Sequence, residues 1–315
     1  MVKSLALGFN QYGTIDVFEE QVIDVNLSEK TDVLIKVERV SVNPVDISIR
    51  KGAMAKSNAP KNFRILGNEF QGEIVELKNP DTSFRLGDKV MAIVPSRADA
   101  EYVATSVERI FKVPETMPLD LAAAFPMVAT TAYWTLDPYF YDFKQKDTLA
   151  IVGASGNVGS LILQLANRKD ITIIAVGSKK NEDYLKHLGA DIVLDYRNEE
   201  QVTHHSQSAD YVINASLFNS GEVLALALLK QNGTYLGLNS LPNLATRPDV
   251  KAFFMEKAEH MTDKKAMADL TIFYNQDGFE LKIGHVLPFS LDGIKKAHQL
   301  IETKKNNGKV ILKMD

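Results

Sequence analysis

The 315-residue sequence predicts an α/β protein in which a mostly-β region is followed by a doubly wound parallel sheet. The length exceeds the roughly 250–300 residues at which a single hydrophobic core stops growing, so two domains are expected. The first 120 residues read as mostly β, the chain from about Asp120 alternates short apolar strands with helices, the pattern of a parallel sheet, and the final 35 or so residues change again. Within that alternation the turn Gly153-Ala154-Ser155-Gly156-Asn157-Val158-Gly159 follows a strand and opens a helix.

In the first region Val33, Ile35 and Val37 alternate with polar neighbours, as a half-buried strand requires. Ile65 to Leu77 and Lys89 to Val94 read as further strands, bounded by Gly, Pro or Asp. Pro114 and Pro118 mark a boundary. Leu121 to Tyr133 is Ala-rich and helical in pattern, interrupted by Pro126. Thr148 to Val152 is a short apolar strand, and Val158, Leu161, Ile162, Leu165 and Ala166 then fall on one helical face. Ile171 to Val176 is the next strand, followed by a helix over Glu182 to Leu188 that Gly189 stops. Ile192 to Leu194, Tyr211 to Ala215 and Tyr235 to Leu238 supply further strands, with a helix at Gly221 to Lys230. The chain closes with a strand (Leu281 to Pro288), an amphipathic helix (Leu291 to Lys304) and a strand (Lys309 to Lys313).

Composition narrows the function classes. A net charge of −4 lacks the basic excess of a nucleic-acid binder. No apolar run approaches the roughly 20 residues that span a bilayer. Met1 to Asn10 has no signal-peptide pattern, so a cytoplasmic location is expected. There are no cysteines, which excludes disulfides, thiolate nucleophiles and Cys-based zinc sites.

The glycine turn is the chief functional signal. Such a turn lets backbone approach a pyrophosphate and aims helix N-terminal N–H groups at it. The spacing is G-x-x-G-x-x-G, with Ser155 where glycine is commoner. The alternative is a tight strand–helix turn without a ligand. The end of the second strand selects the cofactor. NAD-binding folds place a carboxylate there for the ribose hydroxyls. This chain has Val176-Gly177-Ser178-Lys179-Lys180, with no carboxylate. A hydroxyl and two ammonium groups suit a 2′-phosphate, and each charge-assisted hydrogen bond contributes roughly 1.5–3 kcal/mol. Gly153, Ser155, Gly156, Asn157, Val158, Ser178 and Lys179 are therefore cofactor-binding candidates, and NADPH is the expected cofactor. The alternative for the two lysines is solvation at a helix start.

At this point the chain resembles the medium-chain dehydrogenase/reductase superfamily, in its zinc-independent quinone oxidoreductase-like branch. The resemblance rests on Ser41-Val42-Asn43-Pro44-Val45-Asp46, Leu66-Gly67-Asn68-Glu69-Phe70-Gln71-Gly72, Arg85-Leu86-Gly87-Asp88-Lys89-Val90 and Ala100-Glu101-Tyr102-Val103. It continues through Thr130-Thr131-Ala132-Tyr133, the glycine turn, Leu188-Gly189-Ala190-Asp191, Asp195-Tyr196-Arg197 and Gly308-Lys309-Val310. It implies a GroES-like catalytic domain (1–120 and 279–315) into which a Rossmann domain (121–278) is inserted, with the cofactor in the cleft. It also implies that Asn43 and Thr131 meet the nicotinamide end, that Gly156, Asn157 and Val158 line the pyrophosphate, and that Ser178, Lys179 and Tyr196 surround the 2′-phosphate and ribose. Leu238 and Asn239 would border the nicotinamide, while Asn306 and Lys309 would close the cleft. Homodimerisation through an edge strand of the Rossmann sheet is a further implied feature.

Zinc-dependent members hold their metal with Cys, His or Glu, and Cys. The matching positions here are Asn43, Asn68 and Met127, with Glu69 retained. Amides and a thioether are poor zinc ligands, so no metal is expected. Without a metal to stabilise an alkoxide, the expected reaction is hydride delivery from NADPH to a quinone or an α,β-unsaturated carbonyl. Many reductases of the branch carry a tyrosine two residues after the Asp of the N-x-x-D segment, where this chain has Ser48. No catalytic acid stands out among Tyr12, Tyr133 and His285. The alternatives are a non-catalytic NADPH-binding or sensing protein and a zinc-type alcohol dehydrogenase.

Overall fold

The computed structural model describes every residue except Met54, Lys56, Asn58, Pro80, Asp81, Thr82 and Asp315, together with the side chain of Phe218. The chain divides into two compact units, Met1–Met127 with Leu281–Asp315, and Val128–Glu280.

The first unit begins with β1 (Val2–Phe9), β2 (Glu19–Val25), β3 (Val33–Val42), α1 (Pro44–Arg50), β4 (Arg64–Ile65) and β5 (Glu69–Leu77). It continues with β6 (Lys89–Ile93), β7 (Tyr102–Thr105), β8 (Ile110–Lys112) and α2 (Leu119–Ala124). The helix expected from Leu121 breaks at Pro126, where α3 (Pro126–Thr135) starts and leads into the second unit. Proline suits a first helical position, because its missing N–H would be unpaired there anyway.

The second unit adds β9 (Thr148–Val152), α4 (Asn157–Ala166), β10 (Thr172–Gly177), α5 (Glu182–His187), β11 (Ile192–Asp195), α6 (Glu199–His204) and β12 (Ala209–Asn214). Then come α7 (Glu222–Leu228), β13 (Leu229–Gly237), β14 (Lys251–Phe254) and α8 (Asp263–Asp277). The chain returns to the first unit with β15 (Ile283–Pro288), α9 (Leu291–Glu302) and β16 (Lys309–Lys313).

In the first unit the main sheet has the order β15-β16-β3-β5-β6-β8, with β7 also on β3, and a smaller sheet has the order β2-β1-β4. Val33, Ile35, Val37, Val40 and Val42 of β3 pack with Phe70 and Ile74 of β5 and Val310 and Leu312 of β16. Ile294, Ala297 and Ile301 of α9 join that core at helical spacing. Ser290 caps α9 by accepting from the Gly293 N–H at 3.1 Å. The expected continuous strand Ile65 to Leu77 is instead two strands in different sheets. Gly67, at φ +80°, turns the chain between them, and a Cβ there would lie 2.6 Å from Asp99 Oδ1.

The second unit is a six-stranded parallel sheet of order β11-β10-β9-β12-β13-β14. The chain winds outward from β9 through β10 to β11, then crosses to β12 on the other side of β9. Leu161, Ile162, Leu165 and Ala166 of α4 are buried as expected, and Val158 is half-buried. The helix expected over Gly221 to Lys230 ends at Leu228, because Leu229 and Lys230 already belong to β13. Arg247 holds the carbonyls of Leu226, Leu229 and Lys230, and Asp210 binds the Lys230 ammonium at 2.8 Å. These bonds replace helical ones across the junction.

Candidate cofactor site and buried charge centre

In the second unit the registers place five strand ends on one edge of the sheet. Val152 lies opposite Val176 and Asn214, Gly177 opposite Asp195, and Asn214 opposite Gly237. The segments that follow, beginning at Gly153, Ser178, Tyr196, Ala215 and Leu238, all leave the sheet at this carboxyl edge. Here the strand order reverses around β9, which is where open α/β sheets bind ligands.

The glycine turn is shaped by close approach. Gly153 has φ +81°, and a Cβ on it would lie 3.0 Å from the Ser216 nitrogen. The N–H groups of Gly153 and Ala154 both donate to the Val176 carbonyl, at 3.1 and 3.0 Å. A Cβ on Gly159 would lie 2.3 Å from the Gly153 carbonyl oxygen, so helix and turn touch backbone to backbone. Gly156 is the exposed N-cap of the ten-residue α4 and offers no side-chain cap. Ser155, Asn157 and Val158 are half-buried around it. The first N–H groups of α4 therefore face outward over a surface without Cβ obstruction, which fits a pyrophosphate.

Beside this turn Ser178 is buried, and its hydroxyl accepts from Asn181 Nδ2 at 3.1 Å. Lys179 is exposed, but its ammonium is paired with Glu182, which also binds Lys186 at 2.8 Å. The hydrogen bond to Glu182 raises the Lys179 pKa, and the two lysines push Glu182 down to about 2. Two further cations lie beside this strand end, Lys180 expected from the sequence and Arg197 not. Lys180 is exposed without a carboxylate partner among the described residues. Arg197 lies over the exposed Tyr196 ring, 4.9 Å from its centroid, on the strand end next to Ser178.

The other candidates of this unit are distributed as follows. Asn239 donates to the Ser216 carbonyl at 2.8 Å, and Leu238 beside it is half-buried. Ser216 was not foreseen. It belongs to a network in which its N–H and hydroxyl donate to Asn214 Oδ1 at 3.1 and 2.7 Å. Thr131 lies half-buried on α3, away from the strand ends in sequence. Tyr133, also on α3, donates its hydroxyl to Asp269, and burial with that carboxylate raises its pKa.

In the first unit Asn43 and Lys309 come together. β16 runs antiparallel to β3 with Val310 opposite Val42, so Lys309 arrives opposite Asn43. Glu69 opens β5, one residue before Phe70, which pairs with Val40. All three are buried. Lys309 Nζ donates to Glu69 Oε1 at 2.6 Å and to Asn43 Oδ1 at 2.7 Å. Asn43 Nδ2 donates to Glu69 Oε1 at 2.9 Å and lies 3.7 Å from Met127 Sδ. The second oxygen of Glu69 accepts the Met127 N–H at 2.8 Å. Asn68 turns away, donating to the Val94 and Pro95 carbonyls at 3.2 and 2.8 Å. Asn306 folds onto its own turn, donating to the Gly308 carbonyl at 2.7 Å.

Behind Asn43 lies a second buried carboxylate. Asp46 accepts the Asn43 N–H at 2.8 Å. Burial, reinforced by Glu69 and opposed by two backbone N–H groups and Lys309, pushes it up to about 6. Asp99 is raised further, first by burial and then by the charge of Asp46.

The chain matches the alcohol dehydrogenase GroES-like domain over residues 29–115 and the zinc-binding dehydrogenase family over residues 188–312. It is 30% identical over 224 residues to the chloroplastic quinone-oxidoreductase homolog of Spinacia oleracea, covering 67% of this chain and 68% of that one. It is 26% identical over 319 residues to the 2-methylene-furan-3-one reductase of Solanum lycopersicum, covering 98% and 78% respectively. The solved quinone oxidoreductase of Coxiella burnetii superimposes with a TM-score of 0.83 at 28% identity over 100% of both chains.

Proposed function

The chain belongs to the zinc-independent, quinone oxidoreductase-like branch of the medium-chain dehydrogenase/reductase superfamily, and from that premise we propose that it is an NADPH-dependent reductase of quinones or α,β-unsaturated carbonyls. The observation that carries the reading is the carboxyl edge of the parallel sheet. An uncapped glycine turn sits there beside a strand end that lacks a carboxylate and is flanked by cations. In this reading Gly153, Ser155, Gly156, Asn157 and Val158 hold the pyrophosphate. Ser178, Lys180, Tyr196 and Arg197 receive the 2′-phosphate and its ribose, and Lys179 joins them once it leaves Glu182. Leu238, Asn239, Thr131 and Asn43 are assigned to the nicotinamide end. Asn306 and Lys309 act through their own segment rather than by direct contact.

Bound NADPH would supply a hydride to an electron-poor double bond. The protein's part is alignment and polarisation of the acceptor carbonyl by hydrogen-bond donors. The Coxiella relative is a quinone oxidoreductase by name, the spinach relative is named a quinone-oxidoreductase homolog, and the tomato relative is named for an enone, which supports both acceptor classes.

The test follows the nicotinamide absorbance with a panel of quinones, enones and 2-alkenals, alongside Kd values for NADPH and NADH. Turnover with at least one acceptor and tighter NADPH binding are expected. Tight NADPH binding without turnover would leave a binding protein, and equal affinity for both cofactors would remove the 2′-phosphate assignment. We further propose a cytoplasmic homodimer. Its contact is the edge strand β14, where Phe254 is 43% exposed. Among the described residues no helix is long and apolar enough to cross a membrane. A monomeric mass by light scattering would count against the dimer.

A further inference from the structure

We infer that the ammonium of Lys309 is the resident cation of the centre formed by Asn43, Glu69 and Met127, taking the place a divalent metal would need and fixing the orientation of the Asn43 amide. The description of one matched family implies zinc. The residues do not fit it. Among the described residues no cluster of three or more His, Cys, Asp or Glu could hold a metal ion. Zinc would have to sit roughly 2.0–2.2 Å from a ligating carboxylate oxygen. Glu69 Oε1 already receives Lys309 Nζ at 2.6 Å and Asn43 Nδ2 at 2.9 Å. Asn43 Oδ1 is likewise taken by Lys309 at 2.7 Å.

Charge balance points the same way. Glu69 is 0% exposed and Lys309 1%, so each charge needs an opposite one in contact. One ammonium neutralises one carboxylate. A divalent ion added beside the ammonium would leave net positive charge in a closed interior even with the neighbouring Asp46 ionised.

The same contacts determine the amide. Lysine offers only donors and an ionised carboxylate only acceptors. The Asn43 atom facing Nζ must therefore be its oxygen, and the atom facing Glu69 its nitrogen. Lys309 and Glu69 together leave Asn43 a single orientation. Lys309 is thus a positioning residue, and that consequence rests on the proposed contact of Asn43 with the nicotinamide end.

The experiment uses the full chain as wild type, Lys309→Met, Glu69→Gln and the double variant. Metal content after purification with added zinc is measured by mass spectrometry, and stability by denaturation with and without zinc. The wild type should hold far less than one zinc per chain and show no zinc-dependent stabilisation. Each single variant should be destabilised and the double variant should recover most of the loss, with a coupling of about tenfold or more in the folding equilibrium. In the double variant kcat should remain lower by about tenfold to a hundredfold while the Kd for NADPH stays near wild type. Stoichiometric zinc that stabilises the wild type, or additive losses in the two single variants, would overturn the assignment of the cation. Full return of kcat with stability would overturn the positioning role. An absence of turnover in the wild type would defeat the proposed function, while the metal and stability measurements would still decide the cation.

Discussion

Replacing Asp46 by asparagine removes a charge from a place where burial opposes it, while keeping the oxygen that the backbone uses. Asp46 is 1% exposed. One of its oxygens accepts the Asn43 N–H at 2.8 Å, and its Oδ1 has no hydrogen-bond partner. Asp99, 2% exposed, also has an Oδ1 without a partner, and burial and then the charge of Asp46 raise its pKa. The Asp46 carboxyl is pushed up from 3.8 to about 6, chiefly by burial. Because the folded pKa lies above the unfolded one, the folded state holds its proton more tightly. That contribution is complete below the unfolded pKa and is lost as pH rises toward 6. Integrated from pH 5 to pH 8, this single group costs the wild type about 1.4 kcal/mol, a factor of about ten in the folding equilibrium. The Asp46→Asn variant is free of that loss, so its stability relative to wild type should grow by about this amount over the interval. Urea denaturation of both proteins at several pH values across the interval gives the difference, in which titrations of groups not coupled to Asp46 cancel. A difference that stays constant with pH would refute the reasoning, because a folded pKa near 6 requires it to change across the interval.

Gly159→Ala puts a Cβ 2.3 Å from the Gly153 carbonyl oxygen. A stability loss of roughly 1–3 kcal/mol is expected from such overpacking, with weaker NADPH binding, read by denaturation and by fluorescence titration. Arg197→Ala and Lys180→Ala should each weaken NADPH binding by about tenfold and leave NADH nearly unchanged, as measured by calorimetry. Glu182→Gln releases Lys179 from its ion pair. NADPH affinity should rise at low salt, with the gain shrinking as salt is added. Glu302→Gln leaves the fully buried Arg50 without its 2.5 Å carboxylate partner, at a cost of roughly 3 kcal/mol. Glu302 has a lowered pKa, held down against burial by Lys51 and Arg50. The stability it contributes is therefore present above the unfolded pKa and lost as pH falls through the folded one. The gap between wild type and variant should accordingly close in acid, as followed by thermal denaturation.

The parallel sheet was legible because its central strands are short apolar runs buried on both faces, each ending at a glycine or polar residue. The glycine turn was legible because the spacing of its glycines is itself the geometric requirement. α8 left a weaker signal. Only Ala266, Met267, Leu270 and Tyr274 of its fifteen residues are buried, and Ile272 is 54% exposed, so apolar periodicity is blurred. The split between β4 and β5 hid in Gly67, whose positive φ answers to Asp99, a residue distant in sequence. The pairing of Lys179 with Glu182 is a local contact that the i,i+3 spacing could have revealed. Lys309 and Glu69 were each visible alone, one as a motif lysine and the other as a carboxylate beside the zinc-ligand positions. Their contact spans 240 residues and exists only because β16 pairs with β3 in one particular register.

That register ties the chemistry to the fold. A slip of one residue between β16 and β3 would send Lys309 to the opposite face of the sheet and bury Glu69 without a counter-charge. The ion pair therefore penalises alternative pairings of the last strand as well as holding the amide. A metal-dependent relative can assemble its centre from ionised ligands when the ion arrives. This chain has no cysteine and builds the positive charge into a strand, so the centre forms when the C-terminal segment docks. Its cation is then a hydrogen-bonded ammonium with negligible exposure. Such a group can orient neighbouring dipoles but cannot coordinate an alkoxide. The proposed acceptors, which delocalise the electrons of the hydride over their own conjugated carbonyl, would need no such coordination.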